Sequence, residues 1–176
     1  MQLSADTGIA IDRFEPDDTN AVIEVILAIQ REEFGFSITA DDQPDLRAIP
    51  DFYQTGTGDF WVARKDGKVV GTIGLKDIGS GQAALRKMFV AASFRGREFG
   101  VAARLLSRLF EHARERAITD VFLGTTDKFL AAHRFYEKNG FLEIAKGALP
   151  KSFPLMGLDT KFYVARLTDR GSGSDM

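Results

Sequence analysis

The chain contains no cysteine, so it has neither a disulfide framework nor a thiol nucleophile. Histidine is nearly as scarce, with two in 176 residues. Two isolated imidazoles without a thiol argue against a transition-metal site, and none is expected. Charge of neither sign dominates: 23 Lys+Arg stand against 25 Asp+Glu, for a net −2. A dedicated nucleic-acid binder carries a clear basic excess, so no nucleic-acid partner is expected. No apolar run approaches the ~18 residues of a membrane span. Met1–Asp6 lacks the basic-then-apolar layout of a signal peptide. These absences lead to the expectation of a cytoplasmic protein without a membrane partner. Tryptophan (1) and tyrosine (3) are few beside 15 phenylalanines. Most of those rings read as core, and some could line an apolar channel.

What is present suits a globular protein: 44% hydrophobic and 27% charged residues. The length supports one domain with a substantial core, expected over residues 1–170, with Gly171–Met176 as a flexible tail. Residues 9–14 read as a first strand. Asp17 and Asp18 can cap the next helix, where Val22, Val25, Ile26 and Ile29 mark one face and Gly35 ends it. Residues 36–58 are irregular around a short helix at Asp45–Tyr53. Asp59–Arg64, Lys68–Ile78 and Gln82–Val90 read as consecutive strands. Asp66-Gly67 and Gly79-Ser80-Gly81 supply the turns between them. Val101–Ala117 carries one apolar face, with His112 expected on its exposed side. Asp120–Thr125 is a compact strand, Lys128–Asn139 a helix with Gly140 in the C′ position, and Phe141–Ala145 and Lys161–Leu167 are closing strands. The fold expected is α/β: a mixed central sheet, antiparallel N-terminal hairpins followed by a βαβ crossover, with helices on both faces.

The densest chemistry lies in Arg95-Gly96-Arg97-Glu98-Phe99-Gly100-Val101-Ala102, between the strand ending at Val90 and the long helix. A helix start leaves about four N–H groups without partners, and its dipole favours negative charge. Glycine gives a bulky anion access to the backbone, and arginine adds charge and donors. The segment reads as a phosphate cradle. A solvated surface role is the plain alternative for Arg95, Arg97 and Arg104.

This pattern resembles the GNAT superfamily of acyl-CoA-dependent N-acetyltransferases. The family motif Gln/Arg-x-x-Gly-x-Gly/Ala is matched by Arg97-Glu98-Phe99-Gly100-Val101-Ala102, and the signature Tyr-Glu-Lys-x-Gly-Phe by Tyr136-Glu137-Lys138-Asn139-Gly140-Phe141. The likeness runs from about Ile9 to Leu167. Two departures stand out. Counted forward from Val90, Phe94-Arg95-Gly96 matches the start of the family loop, whereas counted back from Leu105-Leu106 the motif begins at Arg97, so the loop carries two extra residues. Where relatives often have an asparagine before the tyrosine, this chain has Phe129.

The resemblance implies an enzyme moving an acetyl group from acetyl-CoA directly to a primary amine, with a small-molecule acceptor. The alternative is a non-catalytic acyl-CoA-binding sensor or regulatory module. It implies that amides from about Arg97 to Ala102 hold the coenzyme's pyrophosphate, together with Arg95, Gly96, Glu98, Phe99, Gly100 and Val101. Met88, Phe89 and Val90 would pair with the pantetheine arm, and Phe129 and His133 would lie beside it. Tyr136 is the implied general acid for the leaving sulfur, and a backbone N–H near Phe89 or Val90 the implied oxyanion donor. No base is singled out: Glu32, Glu33, Asp59 and Glu143 are candidates, while Arg86 and Lys87 are wrong for that task. The acceptor site is expected from residues 32–57 and 147–160, with Phe34, Phe36, Phe52 and Tyr53 as an apolar wall. A homodimer is compatible with the resemblance.

Overall fold

Strand periodicity sorts the hydrophobic side chains onto two faces of a sheet, and the helices cover both. The computed structural model describes residues 8–96 and 98–167; the expected tail at 171–176 lies outside them. Eleven regular elements follow in chain order: β1 (Ile9–Arg13), α1 (Thr19–Leu27), α2 (Ile49–Phe52), β2 (Asp59–Lys65), β3 (Lys68–Gly79), β4 (Gln82–Val90), α3 (Val101–Glu115), β5 (Asp120–Thr125), α4 (Leu130–Lys138), β6 (Leu142–Ile144) and β7 (Lys161–Arg166). Short 3₁₀ turns and one π-helical turn (Ala28–Glu33) complete the path. The sheet has seven strands in the order β1-β2-β3-β4-β5-β7-β6. β1 to β4 run antiparallel, β4 and β5 are parallel across α3, and β7 returns antiparallel between β5 and β6. The expected mixed sheet is therefore present.

In β2, Trp61 and Ala63 join the cluster under α3, whose Val101, Leu105, Leu106 and Leu109 are buried there. Phe60 and Val62 point the other way, against Val22 and Ile26 of α1. That alternation is the two-residue period of a strand buried on both sides. No helix of the described residues is long and apolar enough to cross a membrane.

Two expectations change. Asp18 does not cap α1 with its side chain. Its carboxylate accepts the Glu15 N–H at 2.9 Å and two Arg64 donors at 2.7 and 3.0 Å, clamping the helix start to β2. His112 is 4% exposed, because its ring packs on Trp61 at 5.1 Å and its Nε2 lies 2.9 Å from the Thr57 carbonyl. A loop distant in sequence supplies the polar partner that lets an imidazole leave water.

Candidate active site

β4 and β5 are in register only over Gln82–Ala84 against Asp120–Phe122. Beyond that point they part, and a cavity of about 490 Å³ opens between them. A bulge in β4 lies at this divergence. Thr72 faces Phe89 and Gly74 faces Arg86, so Ile73 alone opposes both Lys87 and Met88. Lys87 takes φ 55°, and its carbonyl accepts the Thr72 hydroxyl at 2.7 Å. A bulge bends its strand and sharpens the local twist. A non-glycine residue in this conformation costs of order 1–3 kcal/mol and persists where its surroundings enforce it, often at functional sites.

Met88, Phe89, Val90, Arg95, Ala102, Phe129 and Tyr136 all border the cavity. Tyr136 is 6% exposed, its ring packed among Phe135, Phe141 and Tyr163. Among the described residues none hydrogen-bonds its hydroxyl, so that group is available to whatever enters the cleft. Burial, with a smaller contribution from the Asp159 charge, raises its pKa above the usual phenol range. His133 does not border the cavity. It is buried, with Nε2 2.9 Å from the Thr126 carbonyl, and braces the turn that leads into α4.

The cradle is built as a turn feeding a helix. The N–H groups of Phe99 and Gly100 both donate to the Gly96 carbonyl, at 3.3 and 3.2 Å, and are used inside the turn. Gly100 precedes α3 in the left-handed conformation, φ 59° and ψ 28°. The next donors, on Val101, Ala102 and Ala103, have no partner within the helix, so anion binding would fall to them. Glu98 is exposed. Arg97 lies outside the described residues. Arg95 donates to the Val90 carbonyl at 2.8 Å and forms a two-pronged pair with Glu33 at 2.8 and 3.0 Å. Arg104 turns toward β1 and donates to the Ile9 carbonyl at 2.9 Å.

A second, smaller cavity of about 140 Å³ shares Leu85, Arg86, Lys87, Phe89, Gly124, Thr125 and Phe129 with the first. Phe36 and Phe129 border it, and Phe34 meets Phe129 edge-on at 4.5 Å, so part of the expected aromatic wall is here. Tyr53 is instead fully buried, its hydroxyl donating to Asp45 at 2.6 Å. None of Glu32, Glu33, Asp59 and Glu143 borders either cavity. Glu33, Asp59 and Glu143 pair with Arg95, Arg13 and Lys161. Asp159 is the carboxylate that does border the smaller cavity. A Cβ added at Gly124 would sit 2.5 Å from its Oδ2, so the missing side chain in β5 makes room for it. Burial raises the Asp159 pKa, against smaller lowering effects from the Met156 backbone, Arg86 and Lys87. Nothing in the local sequence marks Asp159, which reaches β5 from a loop following a stretch without regular structure.

The comparisons agree with this architecture. An acetyltransferase of the GNAT family from Staphylococcus aureus Mu50 superposes with a TM-score of 0.86 at 40% identity, covering 90% of this chain and 98% of that one. A probable N-acetyltransferase family 8 member 5 from Mus musculus is 34% identical over 107 residues, 59% of this chain and 47% of the relative. An N-acetylaspartate synthetase from Danio rerio is 36% identical over 104 residues, 58% of this chain and 36% of the relative. The chain thus spans less than half the length of these two curated relatives. The profile of the acetyltransferase (GNAT) family matches residues 23–141, a span that takes in the bulged strand, the cradle and Tyr136. The chain belongs to that family.

Proposed function

We propose that the protein transfers the acetyl group of acetyl-CoA to a primary amine, with the thioester lying between β4 and β5. The observation that carries this reading is the parting of those strands beside a buried phenol whose hydroxyl has no hydrogen-bond partner among the described residues. A strand edge released from pairing offers main-chain donors and acceptors to an amide-bearing arm. At one end of the same cavity, next to Ala102, a helix start exposes N–H groups suited to a diphosphate. Both curated relatives carry N-acetyl in their names, which supports nitrogen as the acceptor atom.

Acetyl-CoA supplies a carbonyl already joined to a good leaving group. Tyr136 holds a proton beside the departing sulfur, and its raised pKa keeps it protonated at neutral pH. Because a thiolate is a weaker base than this phenolate, the proton moves fully only if Tyr136 regains one from the amine nitrogen. Tyr136 is therefore a relay between nitrogen and sulfur. Tyr136→Phe keeps the ring and removes the proton, so kcat falls about 10²-fold or more while acetyl-CoA affinity stays within about twofold. Thiol release and calorimetry measure the two quantities separately. Unchanged turnover in that variant removes Tyr136 from the chemistry.

A further inference from the structure

We infer that the acceptor is an amine that also bears a carboxylate, seated in the smaller cavity with its carboxylate on Arg86 and Lys87 and its amine on Asp159. This assignment rests on the acetyl-transfer reading and names the substrate class of that site. The sheet buries two adjacent cations where no regular strand would. Successive residues of a strand point to opposite faces, yet Arg86 and Lys87 both border the smaller cavity, because the bulge beginning at Lys87 breaks the alternation. Their side chains are 10% and 8% exposed. Such burial is costly unless partners compensate the charge.

The internal compensation is partial. Arg86 donates through Nε to the Tyr53 hydroxyl at 3.1 Å, and its Nη2 is 3.9 Å from Asp45, beyond a hydrogen bond. Among the described residues nothing accepts from either Nη atom. Lys87 gives one donor to Gln43 at 2.6 Å and lies 3.8 Å from Asp45. Asp45 thus serves both cations while itself accepting from Tyr53. Asp159 forms no ion pair within 4.0 Å with either cation, yet senses both electrostatically, as it does Tyr136. A planar, two-pronged cation and a carboxylate line one small cavity that shares part of its wall with the larger cleft, without pairing directly to each other. Opposite charges placed apart in one cavity are complementary to an amino acid.

The step balances. The ammonium gives one proton to Asp159, and the free nitrogen pair forms the C–N bond to the acetyl carbonyl while the C–S bond breaks. Tyr136 protonates the departing sulfur and takes back the second nitrogen proton. Asp159 then releases its proton to solvent, leaving an N-acetyl amino acid and free coenzyme A.

The test uses the full chain, acetyl-CoA and the common α-amino acids with β-alanine and 4-aminobutyrate, each beside its own carboxamide. Thiol release reads kcat and KM, and calorimetry reads acetyl-CoA affinity independently. At least one free acid should turn over with kcat/KM about tenfold or more above its amide, since a buried cation left without its anion is penalised. Arg86→Ala should erase most of that preference through the acceptor KM, with acetyl-CoA affinity changed far less than that KM. Asp159→Asn should lower kcat about 10²-fold with the acid's KM nearly constant. Amides used as well as acids, or acetyl-CoA bound with no acid consumed, overturns the acceptor assignment alone. Failure to bind acetyl-CoA instead brings down the transfer reading and this assignment with it. The acid–amide comparison is made on the natural protein, so the result stands even if Arg86→Ala unfolds.

Discussion

At the scale of single residues, the proposed phosphate cradle turns on one backbone conformation, that of Gly100. This residue sits at φ 59° and ψ 28° in front of α3, where an L-residue with a branched Cβ is strained by about 1–2 kcal/mol and asparagine by less. The helix can relieve that strain by unwinding its first turn, which would re-aim the free amides of Val101, Ala102 and Ala103. Gly100→Val should therefore weaken acetyl-CoA binding about 5–30-fold, matching that strain, and Gly100→Asn should stay within about threefold of the natural protein. Calorimetry on variants with native circular dichroism checks this, and equal affinities would show that the helix start does not hold the ligand. Gly100 could be read from the sequence because a glycine at a strand-to-helix junction signals its own conformation. Asp159 could not. Its role depends on the hole left by Gly124, a relation between residues 35 positions apart that has no local pattern. The burial of His112 has no local signal for the same reason, since the Thr57 carbonyl that lets it be buried belongs to another part of the chain.

At the scale of elements, the hairpins and the crossover were readable because alternation and turn chemistry are local: Asp66-Gly67 and Gly79 to Gly81 close their hairpins with positive φ at Asp66, Gly67, Gly79, Ser80 and Gly81. The β4 bulge was not readable. Nothing in Arg86-Lys87-Met88 announces an extra residue, and the irregularity shows only once Thr72 and Gly74 are paired across from it. Sequence also suggested that Asp18 caps α1, whereas the structure uses it to join elements. Arg64 donates to Asp18 and also to Asp12 of β1, at 2.9 Å. The Arg64 hydrogen bonds, opposed by burial and aided by the Glu15 backbone, hold the Asp18 pKa below its ordinary 3.8. A carboxyl whose folded pKa is depressed stabilises the fold above its unfolded value, and that contribution fades as pH falls through the folded one. The natural protein should thus lose stability below about pH 4, and Asp18→Asn should be less stable near neutrality but show a shallower loss in that acid range. Urea midpoints between pH 2.5 and 7 measure the slope, and identical slopes would place the acid-sensitive group elsewhere.

At the scale of the whole molecule, a near-neutral chain has gathered two cations in its interior beside a cleft, and that arrangement sets stability against function. Desolvation lowers the Lys87 pKa from 10.5 to about 8, with Asp45 opposing and Arg86 assisting the shift. A depressed lysine pKa means the fold disfavours the charged form, so Lys87 destabilises the native state wherever it must carry its proton. The displacement corresponds to about 3 kcal/mol, and an apolar replacement recovers only part of it, because Gln43 would lose its Lys87 donor and Asp45 a nearby cation. Sites shaped for a ligand commonly carry such a cost, and relieving it raises stability at the expense of binding. Lys87→Met preserves length and removes the charge. Its unfolding free energy should exceed that of the natural protein by about 1–2 kcal/mol at pH 7, with the gain shrinking above pH 8, where natural Lys87 is already neutral. The same variant should raise the KM for carboxylate-bearing acceptors far more than it weakens acetyl-CoA binding. Denaturant unfolding at pH 7 and pH 9.5, paired with acceptor kinetics, measures both effects. A variant that is less stable at both pH values would mean that Lys87 holds the bulge together rather than waiting for an anion.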